Sequence, residues 1–191
     1  MKLLLLLACL VTPLLAEALP VLAAPDFESP LDASWKIAHG TYEPKEGVLL
    51  CAEKAENKHV AVLWHQVGWN TGVIECEFRL DGSKILIIGC DGEGPKGLTH
   101  IGRFVISPKQ ISIAEDSVKP SHTVAKLSAD LKSGMWHKMR LEWEGDQIAI
   151  QLNELVLQAQ HTFFATPKTR SWIAVGGQTA SIRALKISGK P

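Results

Sequence analysis

Residues 136–152 alternate apolar and polar side chains with a period of two on both sides of one short turn. The apolar positions are, in order, Met139, Leu141, Trp143, Ile148, Ile150 and Leu152. Two such runs joined by a Gly/Asp turn at residues 144–147 predict an antiparallel hairpin. One face of such a hairpin packs on a core while the other meets water. The chain is therefore constrained to build a sheet that is covered on one side.

The rest of the chain repeats this pattern in short segments. Residues 72–80 alternate in the same way, and the continuous apolar run at residues 84–90 predicts a strand covered on both faces. Further strands are predicted at residues 35–37, 47–51, 59–64, 102–107, 110–114, 124–131, 172–175 and 182–187. Residues 124–131 also fit helical spacing, and strand is preferred because the neighbouring segments are strands. Residues 91–97 are rich in Gly and Pro and predict a loop. Roughly a dozen short strands favour an all-β fold, a two-sheet antiparallel β-sandwich.

The first 23 residues have the pattern of a secretory signal peptide: one cation, an apolar run and then small residues. Cleavage is predicted after Ala18, with a second option after Ala23. We therefore expect an exported protein, periplasmic or extracellular, whose single β-sandwich domain occupies residues 24–191. The apolar run is shorter than the ~20 residues of a spanning helix, so no membrane span is expected. Residues 6–9 resemble a bacterial lipobox ending at Cys9, which leaves lipid anchoring as an alternative.

Charge and cysteine content exclude some classes of partner and of scaffold. The chain has 20 basic and 20 acidic residues and no basic tract, so nucleic acid is not an expected partner. Cys51, Cys76 and Cys90 remain after processing, and three cysteines are too few for a disulfide framework. Either Cys76 and Cys90 pair across successive strands, or all three are small buried thiols, which is the favoured interpretation.

Several of these segments resemble the 3-keto-disaccharide hydrolase family. The similar segments are residues 35–37 with 47–49, residues 75–80, residues 134–153 and residues 182–187. The resemblance implies a concanavalin-like jelly roll, an exported bacterial protein and a carbohydrate partner. It also implies glycoside hydrolase activity, and the alternative is a non-catalytic module that binds a glycan or a protein.

Glu75 and Glu77 are the candidate catalytic residues. They lie two positions apart on one predicted strand, so their side chains share a face ~6–7 Å apart along the chain. Glycosidases use two carboxylates about 5–5.5 Å or 6.5–9.5 Å apart, and the spacing is compatible. Arg79 continues the same face and is a candidate ligand-binding residue. A solvated outer face is the alternative explanation of all three charges.

Trp64, His65 and Trp69 form an aromatic cluster just before that strand. Aromatic rings stack on the C–H faces of sugars, and Trp and His edges offer hydrogen bonds at a partly wet surface. The cluster is therefore a candidate saccharide-binding platform. Burial of one of the two tryptophans in the core is the alternative.

The sequence predicts no metal site and no cofactor. None of the seven histidines has the spacing of a transition-metal motif. Asp91 and Glu93 offer oxygen ligands of the kind calcium prefers, but the further acidic positions of a calcium loop are missing. His100 and Arg103 follow this segment. Either they lie on the same rim, or they are ordinary surface residues with satisfied hydrogen bonds, which is the favoured interpretation.

Overall fold

The computed structural model describes residues 18–94 and 97–190, which form two antiparallel sheets packed face to face. Strands are numbered in chain order. The first sheet runs β13 (Leu155–Gln160), β12 (Gln147–Leu152), β11 (Trp136–Glu144), β6 (Thr71–Asp81), β15 (Thr179–Lys190), β4 (Val48–Ala52) and β3 (Thr41–Lys45), and β1 (Val21–Ala23) also pairs with β15. The second sheet runs β10 (His122–Ser128), β9 (Gln110–Glu115), β8 (Gly97–Ser107), β7 (Ile85–Gly94), β14 (Arg170–Gly176), β5 (Ala61–His65) and β2 (Trp35–His39). Short 3₁₀ helices lie at Ala55–Asn57 and Thr162–Ala165. The predicted two-sheet sandwich is confirmed.

The hairpin predicted from the alternating pattern is formed by β11 and β12. Met139 pairs with Leu152 and Trp143 with Ile148, so the apolar positions of both strands share one face. All six of them are at most 2% exposed. The indole N–H of Trp143 donates to the backbone oxygen of Phe164 at 3.0 Å, which satisfies its polar edge inside the core.

Strand β6 lies at the centre of the first sheet, between β11 and β15. Its apolar side chains face the second sheet: Ile74, Cys76, Phe78 and Leu80, each at most 3% exposed. The intervening charged residues lie on the outer surface, as the period of two predicts. The register is therefore fixed by burial of one face.

The three cysteines that the structure describes are free and buried, as favoured from the sequence. Burial raises the pKa of the Cys76 and Cys90 thiols to about 12. These thiols therefore behave as small apolar side chains of the core.

The loop predicted for residues 91–97 is wrong. Strand β7 continues to Gly94 and β8 begins at Gly97, and Glu93 pairs with Leu98. A side chain at Gly92 would lie 2.1 Å from the backbone oxygen of Pro167. This glycine therefore permits a close backbone approach within a strand, a role that composition alone does not distinguish from a loop.

The predicted signal peptide lies mostly outside the described residues. Within residues 18–94 and 97–190, no helix is long and apolar enough to cross a membrane. Residues 21–23, which fall inside the predicted 23-residue segment, form β1 against Ile187 and Ser188 of β15.

Candidate functional site

The outer face of the second sheet carries a pocket of about 290 Å³. Its floor comes from β5, β14, β7 and β8, whose core-facing residues alternate with the pocket residues. The lining residues are Ala38, His39, His59, Val60, Val62, Trp64, Ile87, His100, Arg103, Arg170, Trp172 and Ala174. The pocket therefore combines two tryptophans with two arginines and three histidines on one rigid sheet.

A cross-strand row positions the two tryptophans. Trp64 of β5 pairs with Trp172 of β14, Trp172 pairs with Gly89 of β7, and Gly89 pairs with Arg103 of β8. A Cβ at Gly89 would lie 2.3 Å from the Trp172 ring. The absent side chain at Gly89 therefore lets the Trp172 indole lie over the sheet, where it is 6% exposed.

Asp91 lies beneath this row and is 1% exposed. One carboxylate oxygen accepts from Trp172 Nε1 at 2.7 Å and lies 2.6 Å from His100 Nδ1. The other accepts from Arg170 Nε at 2.6 Å. Burial alone would raise the pKa of Asp91, but the hydrogen bonds and charges of His100 and Arg170 outweigh it and hold the pKa below its ordinary value. The ionised carboxylate thus fixes three pocket side chains at once.

A bulge in β8 brings His100 beside Asp91. Cys90 pairs with Gly102 but Asp91 pairs with His100, so Ile101 is an extra residue between the two pairs. Ile101 points into the core, where it is fully buried. The extra residue returns His100 to the outer face, and bulges commonly re-aim a side chain in this way.

Both arginines of the pocket are held by other groups. The Arg170 guanidinium lies 3.9 Å from the ring centre of Trp64 and also contacts Asp91, so the stack has a fixed geometry. Arg103 forms an ion pair with Asp116 and also contacts Ser121. Positioned guanidinium groups of this kind offer N–H donors to ligand oxygens without a large ordering cost.

The predicted platform of Trp64, His65 and Trp69 is divided by the structure. Trp64 lines the pocket, whereas His65 faces the interior against the Trp35 ring and is 5% exposed. Trp69 is 2% exposed and donates to Ser171 Oγ at 3.2 Å. Strand alternation explains the separation of Trp64 from His65, because neighbouring residues point to opposite faces. The ligand-binding roles of all three stay predictions.

Glu75 and Glu77 share a half-exposed face, as expected, but that face belongs to the first sheet. Glu75 Oε1 accepts from Arg140 at 2.7 Å, and Glu77 Oε2 accepts from Arg183 at 2.7 Å. The pocket with Trp64 lies on the outer face of the other sheet. The proposed carboxylates and the proposed aromatic platform therefore do not converge in one concavity. The catalytic role of the pair stays a prediction.

Arg79 lies on the same outer face as these carboxylates. Its guanidinium contacts Asp81 at 2.7 Å and lies 5.0 Å from the ring centre of Trp136. The Arg183 guanidinium lies 4.1 Å from the same ring. The first sheet thus has its own Trp–Arg surface, distinct from the pocket.

The sequence does not identify Arg170 and Trp172 of the pocket, or Asp91 beneath it, as parts of one site. It suggests Asp91 only as a calcium ligand, whereas both of its carboxylate oxygens accept protein hydrogen bonds. Arg170 and Trp172 alternate in one strand, which is a weak signal of a shared face. Their position opposite Asp91 depends on strand pairing that local sequence does not reveal.

No protein-family model matches the chain, and no curated protein matches it. Solved structures do show the same fold. The carbohydrate-binding module CBM66 from Bacillus subtilis has a TM-score of 0.64 at 11% identity, covering 82% of this chain and 96% of that one. The family GH16 endo-β-1,3(4)-glucanase SCLam, crystallised with 1,3-β-D-cellobiosyl-cellobiose, has a TM-score of 0.66 at 14% identity, covering 91% and 97%. A laminarinase from Flavobacterium sp. UMI-01 has a TM-score of 0.63 at 14% identity, covering 88% and 99%. The fold is therefore the jelly-roll sandwich of these proteins.

Proposed function

We propose that the protein binds carbohydrate in the pocket on the outer face of the second sheet. The observation that supports this most strongly is the pairing of Trp64 with Trp172 across neighbouring strands. Arg170 and His100 lie beside this pair, and Asp91 fixes both through contacts with its carboxylate. The fold is shared with a carbohydrate-binding module and with glucanases, which supports a glycan as the class of ligand.

The chemistry of the pocket suits a saccharide. Aromatic rings contact the apolar C–H faces of a sugar, and N–H donors at the pocket wall bind its hydroxyl groups. The volume of about 290 Å³ is close to the lower end of the range of small-ligand pockets. The pocket therefore has room for a few sugar units of a glycan and not for a long segment of a polysaccharide.

The acidic groups of the pocket support binding without cleavage. A glycosidase of the usual kind requires one carboxyl group as acid and a second as base or nucleophile. The described lining residues include no carboxylate, and Asp91 beneath them is engaged by Arg170, His100 and Trp172. The lining that the structure describes therefore offers no pair of carboxyl groups for acid–base catalysis, which favours binding over hydrolysis at this site.

Affinity electrophoresis of the purified chain in gels that contain laminarin, mixed-linkage β-glucan or alginate tests the proposal. We expect retardation by at least one polysaccharide and a loss of about tenfold in affinity for Trp64→Ala, as for a central aromatic contact. The matched control is Trp136→Ala, which removes a Trp–Arg stack from the first sheet instead. We expect its affinity to equal that of the wild type.

Three results would overturn the proposal. They are no retardation of the wild type in any gel, equal retardation of Trp64→Ala and wild type, and a loss confined to Trp136→Ala. Circular dichroism of both variants separates lost contacts from lost folding.

The alternative is hydrolysis of a 3-keto-disaccharide by Glu75 and Glu77 on the first sheet. It is favoured by one observation: both carboxylates share a half-exposed face near Trp136, with Arg183 in contact with Glu77 and with the indole. Incubation with a 3-keto-disaccharide would then release free sugars, and Glu75→Gln or Glu77→Gln would remove that release while Trp64→Ala would not. Absence of product from the wild-type protein rejects the alternative.

A further inference from the structure

Glu115, His122 and His161 come together at one corner of the sandwich, although His161 is distant in the sequence from the other two. Glu115 ends β9 and His122 begins β10 of the second sheet, whereas His161 follows β13 of the first. Glu115 Oε1 lies 3.4 Å from His122 Nδ1 and 3.9 Å from His161 Nε2. One ligand atom from each residue lies within 4.8 Å of the other two.

The carboxylate at this corner is placed for a ligand role. Glu115 is 1% exposed, and its Oε2 accepts from the Ser117 backbone N–H at 2.5 Å, which leaves Oε1 directed towards the histidines. A carboxylate with one free oxygen beside two imidazoles is a group that binds a metal ion.

We propose that Glu115, His122 and His161 bind a divalent transition metal ion, with zinc as the first expectation. Ligand atoms about 2.1 Å from a tetrahedral ion are separated by about 3.4 Å, close to the Glu115–His122 distance. Small side-chain rotations bring His161 into the same range. Two imidazoles and one carboxylate are a zinc ligand set that leaves a fourth position for water. The half-exposed His122 side chain gives the ion access to this corner from solvent.

The ion would join the two sheets at this corner. It would connect the β9–β10 hairpin to the end of β13, at a corner where the His122 and His161 rings already lie 6.2 Å apart between centroids. His161 also caps the Thr162–Ala165 helix, because its Nδ1 accepts from the Phe163 N–H at 3.3 Å. Binding through Nε2 moves the imidazole hydrogen to Nδ1 and removes this cap. The loss of one neutral hydrogen bond is small beside the binding of a zinc ion by three protein ligands.

Isothermal titration of the EDTA-treated full chain with zinc chloride tests the inference. We expect one ion per chain, and a loss of at least about tenfold in affinity for Glu115→Gln and for His122→Gln. The matched control is the double variant His39→Gln/His59→Gln, because these two rings are also neighbours, with centroids 4.5 Å apart. The control should bind zinc as tightly as the wild type. Loss of binding in the control alone, or no binding by the wild type, overturns the inference.

A second measurement separates a specific site from loose histidine binding. Zinc should raise the melting temperature of the wild type and of the control, and leave that of His122→Gln unchanged. Long-range ¹H–¹⁵N spectra should show the hydrogen of His161 moving from Nε2 to Nδ1 as zinc is added. Unchanged His161 signals at saturating zinc would reject this residue as a ligand. None of these outcomes depends on carbohydrate binding.

Discussion

At the scale of single residues, Asp91 organises the pocket more than any residue that the ligand would touch. Asp91 lies in β7, and its carboxylate contacts His100 of β8 and both Arg170 and Trp172 of β14. We predict that Asp91→Asn lowers the free energy of unfolding by about 3 kcal/mol, because Arg170 loses its buried counter-ion. It should also weaken polysaccharide binding. The control Asp130→Asn also removes an aspartate that contacts two cations, Lys109 and Lys132, but at an exposed position, so it should change little.

The difference in free energy of unfolding between the wild type and Asp91→Asn should also depend on pH. The folded-state pKa of Asp91 lies below its ordinary value of 3.8. Its contribution to stability is therefore complete above about pH 4 and is lost as the pH falls through the lowered pKa. Urea unfolding of wild type and Asp91→Asn should show a gap in the free energy of unfolding at pH 5 that narrows as the pH falls below 4. A gap that widens on acidification would show that Asp91 is not ionised in the folded protein.

At the scale of elements, β1 bears on where a signal peptide would be removed. Val21 and Ala23 pair with β15, Gly189 N–H donates to Pro20 O at 2.9 Å, and Leu22 packs on the core. We predict cleavage after Ala18, which keeps this strand, and not after Ala23, which removes it. Intact-mass measurement of the exported protein distinguishes the two.

Loss of β1 should make the product that is cleaved after Ala23 less stable. A chain that begins at Ala24 should be less stable by about 1–2 kcal/mol, from the lost Leu22 contacts and backbone hydrogen bonds. An exported form that begins at Ala24 with unchanged stability would contradict a structural role for β1. As an internal comparison, a chain that begins at Leu19 should match the full-length protein.

Local alternation predicted most of the elements, because burial of one face determines a strand's register. The β11–β12 hairpin and β6 follow directly from it. It did not predict that β7 and β8 continue through residues 91–94 and 97–100, since glycines that permit close packing look like loop residues. It also predicted the strand that contains Trp64 but did not show which strand lies beside it. The pairing of Asp91 with Arg170 and His100 crosses three strands, so no local pattern contains it.

At the scale of the whole molecule, a sandwich has two outer faces, and this one carries a Trp–Arg stack on each. Arg170 covers Trp64 on the second sheet, and Arg183 covers Trp136 on the first. The carboxylates differ: Glu75 and Glu77 are half-exposed, whereas Asp91 is buried. The proposed binding site and the alternative hydrolytic site therefore lie on opposite faces, which is why Trp64→Ala and Trp136→Ala discriminate between them.

Lys168 is a buried lysine whose protonation makes the stability of the sandwich depend on pH. It is 2% exposed, donates to Phe164 O at 2.5 Å and lies 4.6 Å from the ring centre of Trp143. Burial lowers its pKa from 10.5 to about 8. The unfolded chain therefore binds more protons at this residue between about pH 8 and 10.5, and stability from this residue rises with pH across that window.

Comparison with Lys168→Met separates this effect from the ionisation of Cys76. That thiol ionises readily only after unfolding, which lowers stability above about pH 9 in both proteins and cancels in the difference. We predict that the free energy of unfolding of the wild type, minus that of Lys168→Met, increases by about 2–3 kcal/mol between pH 7 and pH 10. Urea unfolding with a reductant measures it, and Lys138→Met on the exposed face of β11 is the control for the substitution itself. A difference that stays flat over this range would mean that Lys168 keeps its proton in the folded protein as firmly as it does in the unfolded chain.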